Sequence, residues 1–305
     1  MHIQQTPAPT TNPISRAADY IHFIRDFFIL RCNRPFILGL VITDICNLAC
    51  KHCRVANIYH VSMSFNEVKQ HLTEQYAQGI RYLYLEGGEP CLWRDRGYHL
   101  ADIVKLAKDI GYFRIHVYTN GTVPLDKSPD FTWVSVDGLG EIYEKIRGIP
   151  VDIVLQHIRD YRGRCGIVYT VNTINYKHIH KFLSCIRNEF PGIRVMFYFH
   201  TPYYGKDYLF LSKDQRREAV DSIGRCKRDG LPVMNSTAGL KAMLTGNFFH
   251  PTNLWRVVDN TGEYQCCRAF GDEEVCRNCG YSTCAEIVLA RNWQIGPILQ
   301  MLHAY

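Results

Sequence analysis

Apolar residues along the chain follow two alternating rhythms. Short continuous runs such as Phe36–Ile42, rich in Ile, Val and Leu, have the length and branching of strands buried on both faces. Between them, apolar positions recur every three or four residues, the spacing of an amphipathic helix. The predicted strands are Phe36–Ile42, Arg81–Leu85, Phe113–Tyr118, Phe131–Val136, Gly166–Val171 and Ile193–Phe199. The predicted helices are Phe65–Gly79, Tyr98–Gly111, Val151–Tyr161, Tyr176–Asn188 and Ser212–Arg228. Six strands alternating with helices call for parallel strands joined by right-handed crossovers. Six units rather than eight favour an incomplete barrel, with an open doubly wound sheet as the alternative. Polar or glycine-rich residues gather at nearly every strand's carboxyl end, where α/β folds line a shared site.

From about Leu231 the alternation stops. Leu254–Val258 and Glu263–Cys267 flank the turn Asp259-Asn260-Thr261-Gly262 and read as a hairpin. A last helix, Ala285–Met301, is expected to break at Gly296-Pro297. At the other end, residues 1–14 are polar and proline-rich and read as a disordered arm. Ser15–Cys32 reads as an amphipathic helix packed on the domain. Its bulky apolar residues and flanking arginines keep a membrane-surface helix as the alternative, while Arg25 and Asp26 make it too charged to span a bilayer. The expected divisions are therefore an arm (1–14), an N-terminal helix (15–35), an α/β partial barrel (36–230) and a small C-terminal region (231–305).

Composition adds little until the cysteines. The 305 residues are 47% apolar and 21% charged, enough for a sizeable core. A net charge of +6 without any run of like charges gives no reason to expect nucleic acid as a partner. Thirteen cysteines are many, and eight fall into two tight groups. The opening residues do not read as a secretory signal, so a cytoplasmic setting is expected and metal binding outranks a disulfide framework.

The first group, Cys46, Cys50 and Cys53, is spaced C-x3-C-x2-C directly after the first strand. Soft thiolates this close favour iron–sulfur or zinc. Three ligands leave one position open, unless the site is structural zinc completed from elsewhere. At the end of the second strand stands Glu86-Gly87-Gly88-Glu89-Pro90. Its paired glycines permit close approach to the backbone, and a buried carboxylate there suits an ammonium group. Together the two motifs resemble the radical S-adenosylmethionine (radical SAM) superfamily, over roughly Phe36 to His200.

That resemblance implies a radical SAM enzyme with a partial (β/α)6 barrel. Cys46, Cys50 and Cys53 would hold three irons of a [4Fe–4S] cluster, whose fourth iron would chelate S-adenosylmethionine. His52, where the family often has Tyr or Phe, would sit by the adenine. Gly87, Gly88, Glu89 and Pro90 match the motif that binds the methionyl amino group. Ser135 resembles the contact to the methionyl carboxylate, Asn172 a ribose contact, and Asn120 a residue that shapes the pocket. For these three, ordinary strand-end and turn chemistry is the alternative. A radical formed from the cofactor would abstract hydrogen from, or add to, an unidentified substrate, and a low-potential donor such as flavodoxin or ferredoxin is implied.

The second group is Cys276, Cys279 and Cys284, with the pair Cys266-Cys267 on the hairpin. Four cysteines suit a cluster or structural zinc. The hairpin followed by cysteines looks like the SPASM/twitch appendage of the superfamily, which carries auxiliary [4Fe–4S] clusters. Cys267, Cys276, Cys279 and Cys284 would be its ligands, with Cys266 as alternate to Cys267. Two departures stand out: only His250 lies where an earlier cysteine is expected, and the last spacing differs. One auxiliary cluster is expected rather than two. The likeness gives a slight preference for a peptide or protein substrate. A looser similarity to radical SAM enzymes that adenosylate hopanoid precursors keeps a lipid or isoprenoid substrate open, with membrane contact through the N-terminal helix. The non-enzymatic alternative is an iron–sulfur electron carrier or a zinc-stabilised binding protein. His178 and His180 face apart on a helix, and Cys32, Cys91, Cys165, Cys185 and Cys226 read as buried thiols.

Overall fold

The structure, a computed structural model, describes residues 13–161, 163–203, 205–245 and 253–304. Six strands, β1 (Ile37–Thr43), β2 (Tyr82–Gly87), β3 (Arg114–Thr119), β4 (Phe131–Ser135), β5 (Cys165–Val171) and β6 (Val195–Phe199), lie side by side in chain order, all parallel. The hairpin strands β7 (Trp255–Asp259) and β8 (Gly262–Gln265) join the same sheet. β7 runs parallel to β1, and β8 pairs antiparallel with β7. This is an α/β fold whose sheet has β8 and β6 as its two edges. The hairpin therefore extends the barrel sheet rather than standing apart from it.

Alternation along each strand sorts residues to two faces. On the outer face Leu38, Leu40, Leu83, Leu85, Ile115 and Val117 pack under α2 (Phe65–Ala77) and α3 (Leu100–Ile110). Further round, Tyr169, Val171, Phe197 and Phe199 pack under α5 (Asp152–Asp160), α6 (Ile179–Glu189) and α7 (Lys213–Arg228). On the inner face Phe131, Trp133, Val168, Met196 and Tyr198 fill one half of the concavity. At Gly39 a Cβ would lie 2.4 Å from the Tyr84 ring, so the glycine makes room for a tyrosine lying across the concave face.

Several elements differ from the sequence expectation. The N-terminal helix is α1 (Pro13–Ile24) followed by a π-helical turn, Arg25–Ile29. Phe23 and Phe27 pack edge-on to Phe36, while Tyr20, Ile21, Ile29 and Leu30 remain exposed. The proposed arm lies almost wholly outside the described residues, as does His250. A short helix, α4 (Gly140–Arg147), escapes the pattern because eight residues between glycines carry too few apolar positions; α8 (Thr237–Thr245) and α9 (Glu273–Arg277) escape it likewise. The last helix breaks earlier than predicted, between α10 (Ser282–Arg291) and α11 (Ile295–Ala304), with Trp293 at φ +62°. Pro297 falls in the first turn of α11, where the missing N–H costs no hydrogen bond. Among the described residues no helix is long and apolar enough to cross a membrane.

One close approach seats the C-terminal region on the barrel. Phe199, at the end of β6, donates its N–H to the Gly280 carbonyl at 2.9 Å. A Cβ at Gly280 would lie 1.6 Å from the Phe199 carbonyl oxygen, a backbone atom that cannot step aside. Gly280→Ala should therefore lower stability by about 1–3 kcal/mol. Urea unfolding of the variant checks this, and an unchanged midpoint refutes it.

Candidate active site

The loop after β1 is shaped around one carboxylate. Asp44, 2% exposed, accepts hydrogen bonds from the backbone N–H groups of Ile58, Tyr59, His60 and Val61 at 2.6–3.1 Å. Burial works to raise its pKa, and these four donors hold it below the ordinary carboxylate range. The Cys46-to-Val61 segment is thus wound about a fixed anion. Inside that winding, Cys46 donates its N–H to Asn57, and its sulfur accepts from the Leu48 N–H at 3.4 Å and the Asn120 amide at 3.6 Å.

The Gly87-Gly88 pair faces this loop at a distance only glycine allows. A Cβ at Gly87, where φ is +148°, would lie 2.0 Å from the Thr43 carbonyl oxygen, and one at Gly88 2.3 Å from that of Ile45. Instead Gly88 and Glu89 donate their N–H groups to Thr43 and Ile45. The Glu89 carboxylate is fully buried and accepts from Cys91 N–H, the Thr119 hydroxyl and Asn120 N–H at 2.6–2.9 Å. Asn120 in turn donates to Asn47 at 2.9 Å and accepts from Thr122, so it serves its own turn and the cysteine loop together.

Beneath Cys50 lies an ion pair the sequence reading missed. Arg147, from α4, donates to the fully buried Asp137 at 2.7 Å and reaches the Cys50 sulfur at 3.9 Å. Lys51 N–H bonds the Ile146 carbonyl, tying the loop to the same helix. Burial pushes the Cys50 thiol up to about 11 against the pull of Arg147. His52 lies 3.7 Å from Asp137, yet burial holds its imidazole down to about 4, and its buried Nδ1 has no partner among the described residues. Asp137 is visible in the sequence as a strand-end polar residue, whereas nothing there links Arg147 to Cys50.

The other expected residues are placed less tellingly. Ser135 ends β4, half-buried. Asn172 is fully buried, its amide bonded to the Thr170 carbonyl and Ile174 N–H in a local turn. His200, after β6, bonds Asp207, which also receives Arg54 from the cysteine loop at 2.9 Å.

The C-terminal cysteines gather on the opposite wall. The Tyr203 hydroxyl donates to Tyr281 at 2.7 Å, while the neighbouring Cys266 thiol above all lowers the Cys267 thiol to about 7 against its burial. Cys266, at φ +64°, is the donor of that pair and is driven the other way. Burial raises the Cys276 and Cys279 thiols against the backbone N–H groups of Gly271 and Tyr281, and the half-buried Cys284 is raised too, with Cys279 and Cys267 adding to it. A cavity of about 470 Å3 separates this wall from the barrel, bounded by Glu86 and Gly87 on one side and Cys267, Cys279 and Cys284 on the other. Tyr84, Tyr118, Tyr198, Tyr203 and Tyr281 complete much of its surface.

Among the described residues no three His, Cys, Asp or Glu side chains converge as a single ion would need. The donors aimed at sulfur nevertheless suit thiolates, which accept such bonds when they carry a cluster. Both cysteine sets fit such a group on that ground.

Residues 40–186 match the Radical SAM superfamily. The chain carries a radical SAM domain. Its span takes in Cys46, Cys50, Cys53, the Gly87–Pro90 turn, Asn120, Ser135 and Asn172, and ends well before the C-terminal cysteines. An S-adenosylmethionine-dependent nucleotide dehydratase of Selenomonas ruminantium is 28% identical over 161 residues, 52% of this chain and 53% of that protein. The chain spans about half the length, or less, of the curated relatives it matches. Among solved structures, Streptococcus suis SuiB bound to the precursor peptide SuiA covers 92% of this chain and 72% of its own, with a TM-score of 0.60 and 15% identity. anSMEcpe with bound AdoMet and Kp18Cys peptide covers 81% of this chain and 79% of its own, with a TM-score of 0.59 and 17% identity. These likenesses place the sheet of the radical SAM domain among partial barrels.

Two variants test how the loop of the radical SAM domain is held. Arg147→Met leaves Asp137 buried and uncompensated and should cost about 3–5 kcal/mol. Asp44→Ala strands four backbone N–H groups and should cost at least about 2 kcal/mol. Denaturant unfolding reads both, and a loss below about 1 kcal/mol in either refutes the corresponding role.

Proposed function

We propose that this chain is a radical SAM enzyme that uses a [4Fe–4S] cluster held by Cys46, Cys50 and Cys53. One observation carries the reading: the cysteine loop and the Gly-Gly-Glu-Pro turn are bonded backbone to backbone, with Asn120 joined to both. A cluster carrier has no use for that second loop. Held by those three cysteines, the cluster would supply the low-potential electron for reductive carbon–sulfur cleavage of S-adenosylmethionine, with methionine as the other product.

The chain's own residues would orient and insulate. Backbone at Gly87–Pro90 would meet the methionyl amino group, with Glu89 held rigid by its three donors. Ser135 would meet the carboxylate and Asn172 the ribose through the capacity its local bonds leave. His52, kept neutral by burial, would lie by the adenine. Arg147 would hold the Cys50 thiolate by charge as well as by hydrogen bonding. On the far wall Cys267, Cys276, Cys279 and Cys284 would carry an auxiliary [4Fe–4S] cluster of SPASM/twitch type, with Cys266 donating to Cys267 rather than replacing it. Flavodoxin or ferredoxin would supply the electrons.

A peptide or protein is the favoured substrate class, supported by the likeness to two structures solved with peptides bound. A second reading, an apolar lipid met at a membrane surface, is favoured by the exposed Ile21, Ile29 and Leu30 and by a cavity of about 810 Å3 beneath α1, lined mostly by apolar residues with Lys108, Arg114 and Asp130 at its wall. Anaerobic reconstitution followed by dithionite and S-adenosylmethionine should release 5′-deoxyadenosine, and Cys53→Ala should release none. Its absence from the wild type overturns the enzymatic reading. Iron should approach about eight per chain if both sites hold four-iron clusters; about four, with one zinc, would make the C-terminal site structural.

A further inference from the structure

Glu86 has no place in the chemistry above. It occupies an inward position of β2, one residue before Gly87, and lines the cavity between the two cysteine sites. Among the described residues no hydrogen bond or ion pair reaches its carboxylate. The two cations that line the same cavity are committed elsewhere. Arg268 is paired with Asp259 and reaches Glu86 only by charge at a distance, and Arg54 is shared between Asp207 and the Lys51 and Cys53 carbonyls.

Glu86 is half-buried, and a carboxylate drawn partly out of water without a hydrogen-bond partner is unfavourable unless something charged or hydrogen-bonding arrives to meet it. The walls indicate what that visitor is. Tyr84, Tyr203 and Tyr281 surround the space, and burial keeps their hydroxyls protonated, so they offer neutral ring faces. An anion set among aromatic rings is the arrangement that holds an organic cation, by ion pairing on one side and cation–π contact on the others.

We propose that Glu86 is the recognition carboxylate for an ammonium or guanidinium group carried by the substrate. The proposal rests on reading this cavity as the substrate chamber of a radical SAM enzyme. It narrows the substrate to molecules with a basic group, such as a peptide with a lysine or arginine side chain. Because Glu86 adjoins the Gly-Gly-Glu-Pro turn, the basic group would be anchored close to the cosubstrate, leaving the rest of the molecule toward the C-terminal cysteines.

The test uses the reconstituted full chain and two probes of one shape, benzamidine and neutral benzamide. Titrations are run at pH 8, above the value of about 7 to which burial raises Glu86. The wild type should bind benzamidine at least roughly tenfold more tightly than benzamide, and Glu86→Gln should abolish that preference. Glu86→Asp, which keeps the charge, should retain a preference for benzamidine and so separates loss of charge from misfolding. Equal affinity for the two probes in the wild type, no binding of either, or an undiminished preference in Glu86→Gln overturns the proposal. Failure of the underlying enzymatic reading appears elsewhere, as a wild type that releases no 5′-deoxyadenosine while still discriminating between the probes.

Discussion

The structure turns on the closeness of two strand ends. β1 and β2 finish so near each other that neither Gly87 nor Gly88 has room for a Cβ. Two backbone hydrogen bonds fill the space instead. Everything at the top of the barrel is placed from that contact. Asp44 winds the cysteine loop on one side of it. Glu89 binds the start of the Asn120 turn on the other, and Asn120 returns to the Cys46 sulfur. The glycines therefore serve the fold as directly as they would serve a ligand. Either would bring the backbones together, and here both loops need it.

Much of this was legible in the sequence. Six apolar runs at regular intervals announced the parallel sheet, and the polar strand ends announced where its site would lie. Cys46, Cys50, Cys53 and the Gly-Gly-Glu-Pro turn were visible because their chemistry depends on residues adjacent in the chain. Arg147 was not, because its role is to reach Cys50 and Asp137 from a helix too short to leave a periodic trace. The place of the hairpin was missed for a related reason. Alternation identifies a strand but not its neighbour, and β7 pairs with β1 across most of the chain's length. Glu86 was read as part of a loop motif. Only its direction, into the concave face, sets it apart from Glu89 three residues later.

The two walls of the cavity are electrostatically unlike. On the barrel side, Glu86 apart, the charges drawn out of water come in satisfied sets: Asp137 with Arg147, Glu89 with its three donors, Asp207 with Arg54 and His200. On the C-terminal side the groups are thiols and tyrosines, held together by hydrogen bonds to sulfur and oxygen. Rigid charge lies beneath the first cysteine site and softer, polarizable groups surround the second. That contrast is what a chamber needs if one wall fixes a reactive cofactor and the other adapts to a guest.

The parallel pairing of β7 with β1 also bears on how the molecule is made. β1 is made well before the strand that covers its free edge, since Ile37 pairs with Trp255, roughly two hundred residues later. Until then a seven-residue, wholly buried strand presents an unpaired side, the geometry that invites wrong partners. The C-terminal region is thus a closing clasp for the nascent barrel, gripping β1 through the hairpin and β6 through Gly280. A chain cut short before Trp255 would lose more than its second set of cysteines: β1 would be left with a sticky edge.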